Sequence, residues 1–280
     1  EQQKELFLQD YSYAGYRQGH QAIPVPRAND IIFNVANFGA DSTGMNDSWA
    51  AVQKAILAAE QANRGVVYFP AGHYLIAGSS SALDDLKDEL NLQPNPPSAA
   101  RVNALDYGIL HIAQSQVILR GAGQNLSKLY FSRSEGMSES SRQAHLLFKP
   151  LGSWGNNSSS NIKLLLNADV FETSVVVDSL GPLAVGEDIV LGSEISSGFR
   201  ADFNMGTNDW TSFNGDWVPF FHRKITRIES VSRGYRISFD VPLRYALKTR
   251  DNASLRIQHN LLREVGVQSL ALSNAVERDK

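Results

Sequence analysis

The chain of 280 residues contains no cysteine, which excludes disulfides, thiolate nucleophiles and cysteine-ligated metals. It has no run of 18 apolar residues, so the sequence shows no membrane-spanning helix. Its net charge is only -3, which gives no reason to expect a nucleic-acid partner. It opens "EQQKELFLQD" without an initiator Met or a signal peptide, as either a processed exported protein or a trimmed chain would. What remains, 42% hydrophobic and 20% charged, is the composition of a soluble globular protein.

The segment "NFGADSTGMND" (37–47) separates an apolar run (Ile31, Ile32, Phe33, Val35) from a helical pattern. Gly39 and Gly44 supply backbone freedom, and Asp41, Ser42, Thr43 and Asn46 can bond nearby amides. Asp47 or Ser48 is placed to cap a helix of about 16 residues, with Trp49, Val52, Ile56 and Ala59 on one face and Gly65 as its left-handed stop. The alternative is a loop holding a cation such as Ca2+ through Asp41 and Asp47. The structural role is preferred, and no cofactor is specified.

Short strands then follow one another: "GVVYF", "YLI", "GILHI", "QVILRGAG", "KLYF" and "HLLFKP". Residues 78–106 lack strand character and are expected as an excursion. Such spacing fits a β-sandwich, a barrel or a parallel β-helix. From about 167 to 258 the pattern changes to alternating hairpins, with "SRG" as a tight turn, and a small antiparallel β module is expected there. The stretch 198–222, rich in aromatic residues, Asn, Asp and Gly, shows no strand periodicity.

Taken together, "NVANFGADSTGMNDSWAAVQKAILAAEQANRGVVYFPAGHYLI" and "VILRGAG" resemble the opening of pectate-lyase-like right-handed parallel β-helix proteins. Arg64 stands where that pattern has the first Gly of a pair. "DYSYAGYRQGHQAIP" further resembles the leader of a bacterial subgroup associated with polysaccharide breakdown. The resemblance implies an all-β fold, a right-handed parallel β-helix with an N-terminal capping helix and an inserted antiparallel β module. It implies an arm at 1–30, cap and first coils at 31–166, the module at 167–258 and a return to the scaffold at 259–280. A stack of such coils needs neighbours and caps. The chain is therefore expected to be the N-terminal portion of a longer protein, or to be completed by a C-terminal fragment or second chain.

The implied function is a secreted or periplasmic enzyme with a polysaccharide substrate, a lyase acting on an acidic glycan by β-elimination before a glycoside hydrolase. The other class is a non-catalytic carbohydrate-binding or phage tailspike-like protein. β-Elimination needs a base and a cation beside the uronate carboxylate. The candidates are His222 and Lys224 for catalysis, and Trp210, Trp217, Arg244 and Tyr245 for substrate contact, since flat aromatic faces stack on sugars and cations hold acids. The main catalytic residues are expected outside this chain. His73, His111 and His145 read as packed or surface histidines, "GAG" (121–123) precedes no helix and so is no nucleotide loop, and Tyr11, Tyr13 and Tyr16 read as anchors of the arm.

Overall fold

The computed structural model of the protein describes residues 12–24, 30–106, 108–133, 144–152, 155–156, 161–206 and 216–275. They fall into two compact units, one within Glu1–Pro24 and Trp154–His259, the other within Val25–Ser153 and Asn260–Lys280.

The second of these is built from parallel strands. Strand β1 (Ile32–Asn34) pairs with β3 (Gly65–Phe69), β3 with β6 (Val117–Gly121), and β6 with Gly266–Gln268. A second sheet runs from β2 (Thr43–Asp47) through β4 (Gly72–Ile76) and β7 (Ser127–Phe131) to Ala271–Asn274. A third pair joins β5 (Leu110–Ile112) and β8 (Leu146–Phe148), again parallel. Each passage of the chain thus adds one strand to each of the first two sheets. Alternation turns Val67, Phe69, Tyr74, Ile76, Val117, Leu119, Leu129 and Phe131 into one interior cluster. The "GAG" turn serves this stacking. A Cβ on Gly121 would lie 2.3 Å from the Ser269 carbonyl oxygen, so only glycine lets successive passages approach.

Helix α1 (Trp49–Gln61) lies against these strands with Trp49, Val52, Ile56 and Ala59 fully buried, the stripe expected from the sequence. Its Ala-rich sequence favours helix, and each large side chain so buried contributes ~1.5–3 kcal/mol. The Trp49 indole donates to the Ile109 carbonyl at 3.1 Å. Asp47 rather than Ser48 caps the start, its Oδ1 accepting from Trp49 N at 2.9 Å. The helix stops earlier than expected, and Asn63 (φ 59°), not Gly65, takes the left-handed turn. Gly65 instead opens β3, where a Cβ would collide with the Phe33 ring at 2.6 Å.

Both loop carboxylates are consumed by the protein itself. Asp41 accepts from Thr43 N (2.8 Å), Thr43 Oγ1 (2.7 Å), Asn46 N (2.8 Å) and Asn46 Nδ2 (3.0 Å). These bonds, the Thr43 hydroxyl's foremost, hold its carboxyl well below the usual carboxylate range. Asp47 also accepts from Ala77 N (2.9 Å) and Gly78 N (3.0 Å), joining the loop to the end of β4. The loop is a strand-to-helix splice.

The expected excursion is partly helical. Helix α2 (Ser80–Asn91) buries Leu83, Leu86 and Leu90 at three- and four-residue spacing, and Ser79 Oγ caps it through Ala82 N at 3.1 Å. Its Ser, Asp and Lys residues obscured that narrow leucine stripe. Helix α3 (Ala99–Asn103) carries Arg101 into a buried polar network. Arg101 Nε meets Glu60 Oε2 at 2.7 Å, its Nη2 donates to the His111 carbonyl at 2.6 Å, and Glu60 Oε1 accepts from Ala113 N at 2.6 Å. Gln53 pairs with both backbone groups of His111, at 3.1 and 3.0 Å, as a further strand would. The imidazole is held between the Lys149 carbonyl at Nε2 (2.8 Å) and Arg101 Nη1 at Nδ1 (3.2 Å).

In the other unit the strands are antiparallel: β10 (Ile162–Lys163), β15 (Ser254–His259), β12 (Asp188–Glu194), β13 (Trp217–Ser230), β14 (Tyr235–Phe239) and β11 (Ser174–Val177), in that order, with β9 (Gly155–Asn156) beside β15. Ile189, Leu191, Phe221, Ile225, Ile237 and Leu255 form its core. The "SRG" turn closes β13 onto β14, with Val231 N donating to the Gly234 carbonyl at 3.0 Å. Of the arm, Tyr13 lies 5.7 Å from the Arg244 guanidinium and Gln18 donates to Asp240 at 2.9 Å, while Tyr11 lies outside the described residues.

Replacing Arg101 with Met should cost about 3–5 kcal/mol, because the Glu60 carboxylate then stays buried without its cation. Burial first, and Arg101 second, lower the His111 pKa from its ordinary 6.5. The folded state therefore binds this proton less well than the unfolded chain, so stability should fall as pH drops below ~6.5. Urea midpoints from pH 7 to about 5 test this. A His111→Gln variant should lose less over that interval, and an equal loss would show that other groups set the slope.

Candidate functional site

Consecutive aromatic residues explain why the first part of strand β13, Trp217 to Phe221, does not read as a strand in the sequence, although the hairpin from His222 onward does. The register pairs Pro219 with Gly192 and Phe221 with Leu191, leaving Phe220 as an extra residue. This bulge shifts the alternation by one. Phe220 and Phe221 consequently lie on the core side, while Trp217, five positions from His222, shares its face. The irregular stretch expected at 198–222 is thus α4 (Ser197–Asp202) at one end and β13 at the other.

On the face away from the core, His222 and Arg256 flank Val190 on either side of β12, roughly 10 Å apart at two strand spacings. Lys224 follows His222 on the same face. His222 Nδ1 bonds Gln258 Oε1, an atom that only accepts, so the neutral ring keeps its lone pair on Nε2. Lys224 Nζ is committed to the Gly186 carbonyl at 3.2 Å and to Asp188 at 3.6 Å. Trp217 donates through Nε1 to Ser254 Oγ at 2.8 Å. The Arg256 guanidinium sits 3.7 Å from the centre of the Trp217 ring, and Arg256 Nε and Ser254 Oγ both donate to Asn161 Oδ1, at 2.9 and 2.8 Å. Burial lowers the Arg256 pKa. Val190 and Ser254 are fully buried, so Trp217 and Arg256 form a latch across β13 and β15 rather than an open platform.

Arg244 and Tyr245 lie elsewhere. Tyr245 meets Phe221 (5.9 Å), Phe220 (6.3 Å) and Phe203 (5.7 Å), all on the core side of β13. The sheet therefore separates them from His222, Lys224 and Trp217. Trp210 lies outside the described residues. Among the described residues no group of three His, Asp or Glu is placed to hold a metal ion. His145 stacks on Phe131 at 4.5 Å, His111 is buried in the network above, and His73 is exposed.

Sequence reasoning missed a further row. Outward positions of the first parallel sheet align Asn34, Tyr68, Arg120 and Gln268 across four strands, roughly 14 Å in all. On the second sheet His73 aligns with Lys128, and Leu75 with Tyr130 and Ser273. These residues lie tens of positions apart, and only the register reveals them.

Gly192 is a test of the latch, since an added Cβ would lie 2.6 Å from the Trp217 ring and 2.2 Å from the Val218 carbonyl oxygen. Gly192→Ala should destabilise by ~1–3 kcal/mol in a denaturant melt and change the indole emission. An unchanged midpoint would mean that the ring does not rest there.

Comparison with known proteins fits the parallel unit. Residues 32–144 match the family model described as rhamnogalacturonase A/epimerase, pectate lyase-like. Mannuronan C5-epimerase AlgE3 of Azotobacter vinelandii is 48% identical over 52 residues, 19% of this chain and 3% of that protein. Alginate lyase 7 of the same organism is 44% identical over 52 residues, 19% of this chain and 6% of that protein. The match thus spans only a small fraction of these relatives' length. Among solved structures, the tailspike gp61 of Pseudomonas phage phi297 has 15% identity and a TM-score of 0.48, covering 89% of this chain and 36% of that one. Over residues 32–144 the chain is thus similar to the pectate-lyase-like family.

Proposed function

We propose that this chain is part of an exported polysaccharide-active enzyme that cleaves an acidic glycan by β-elimination, on a right-handed parallel β-helix capped by α1 and interrupted by the antiparallel unit. The observation that carries this reading is the 44–48% identity shared with both uronate epimerases and an alginate lyase. Epimerisation at C5 and β-elimination begin alike, with loss of the proton beside the uronate carboxylate. They need a cation to neutralise that carboxylate and a base for the proton.

The parallel unit offers both groups side by side. Tyr68 and Arg120 are register partners on adjacent strands, about 5 Å apart at the backbone and outward-facing. Arg120 would hold the carboxylate, and the Tyr68 oxygen, as phenolate, would take the proton from C5 and pass it to the departing O4 as the C4–O4 bond breaks and the C4–C5 double bond forms. In the antiparallel unit, His222 with its lone pair on Nε2 is the second candidate base. Lys224, tied to Asp188, contributes charge rather than a lone pair, and Trp217 supports the strand that carries His222.

Incubation with polymannuronate, polyguluronate and pectate should raise ultraviolet absorbance as the unsaturated end forms. Tyr68→Phe or Arg120→Ala should lower that rate by about a hundredfold or more; that loss in His222→Ala with Tyr68→Phe unaffected would instead make His222 the base. New reducing ends without absorbance would mean hydrolysis. Deuterium uptake at C5 without cleavage would mean epimerisation. Binding without either would favour a carbohydrate-binding protein.

A further inference from the structure

The parallel unit holds a cavity of about 250 Å³ that the chemistry above does not use, set among α1, the turn Val35–Phe38 and the end of α2. Its deep lining is apolar. Leu57 and Leu90 are 3% and 2% exposed, and Phe38 packs against the same core cluster. Two polar ties hold its walls together. Lys54 on α1 pairs with Glu89 on α2, and Gln61 Nε2, at the end of α1, donates to the Asn95 carbonyl just beyond α2 at 3.1 Å.

The rim is rich in amides. Asn37 and Gln93 both line the cavity, and their side chains make no hydrogen bond among the described residues. Gln61, with its nitrogen engaged, still has an oxygen that can accept. A primary amide presents donors and an acceptor in one plane, and a sugar hydroxyl both gives and accepts. The apolar side chains below suit the C–H face of a pyranose ring. A few convergent polar groups over an apolar base are the usual make-up of a small-molecule site.

Size and charge narrow the ligand further. The volume lies below the roughly 300–1,000 Å³ common for drug-sized ligands, and it suits one ring rather than a linked pair. Lys54 and Glu89 are the charged residues of the lining, and each already neutralises the other. An incoming carboxylate would have to take Lys54 from Glu89 or stand beside that acid without a partner, and either is costly. We infer that this cavity binds a single uncharged pyranose, through the amides of Asn37, Gln61 and Gln93 over Phe38, Leu57 and Leu90. The inference does not rest on elimination at Tyr68 and Arg120, with which the cavity shares no residue. A ligand there touches both α1 and α2, so it stabilises the folded chain in proportion to its occupancy.

Titration calorimetry of the whole chain with galactose, glucose and mannose, and with galacturonate and mannuronate, tests the site. At least one neutral sugar should bind with one-to-one stoichiometry, and should do so at least tenfold more tightly than either uronate. The same sugar should raise the melting midpoint of the parent. Ala58→Phe places a ring in the cavity from α1 and should abolish both effects. Gln93→Ala, a change outside the core, should weaken binding about threefold to tenfold while leaving the midpoint of the sugar-free protein unchanged, and it guards against loss through misfolding. No saturable binding of any neutral sugar, uronates binding as tightly, or affinity unchanged in both variants would overturn the inference. Its fate is separable from the proposed reaction, because sugar binding at this cavity is read without any cleavage of polymer.

Discussion

Everything in the parallel unit depends on one constraint, that each strand finds its hydrogen-bond partner one passage of the chain earlier. A parallel strand cannot close on its sequence neighbour through a tight turn. The interior must therefore be filled by side chains whose positions agree from one passage to the next. Val67 over Leu119 and Tyr74 over Leu129 are such agreements. The same register aligns the outward positions, so Tyr68 and Arg120 become neighbours for the reason that Val67 and Leu119 do. Packing and chemistry are set by one alignment.

At the two edges of this scheme the chain relies on polar groups. The interior end of α1 is fixed to β5 by Gln53 imitating a strand and by Glu60 and Arg101 inside an apolar cluster. A buried ion pair adds little net stability, yet losing one partner is costly. It ties α3 and β5 to the end of α1. The splice at Asp41 and Asp47 works alike, with carboxylate oxygens given to backbone amides instead of to a cation.

Much of the parallel unit was legible in the sequence because its signals are local. The α1 stripe, the short β runs and the Gly-rich corner each occupy a few consecutive residues. Helix α2 was missed because its three leucines are spread through polar residues, and the end of α1 was misplaced because Asn63 took the turn expected of Gly65. The candidate site was far less legible. Phe220 breaks the alternation of β13, so no count along the sequence could show that Trp217 shares a face with His222 while Tyr245 does not. The Tyr68–Arg120 pair is separated by 52 positions in sequence and one strand spacing in space. Side chains brought together by register leave no motif.

The chemistry proposed for this chain starts by removing a proton from an acidic sugar rather than by adding water across the glycosidic bond. Digestion of a uronate polymer in water enriched in heavy oxygen, followed by mass spectrometry of the products, separates the two directly. Elimination predicts products that have lost the elements of water relative to hydrolysis products and carry no heavy oxygen beyond that exchanged at the reducing-end anomeric carbon. Products at the full hydrolysis mass, with a saturated non-reducing end, would contradict it.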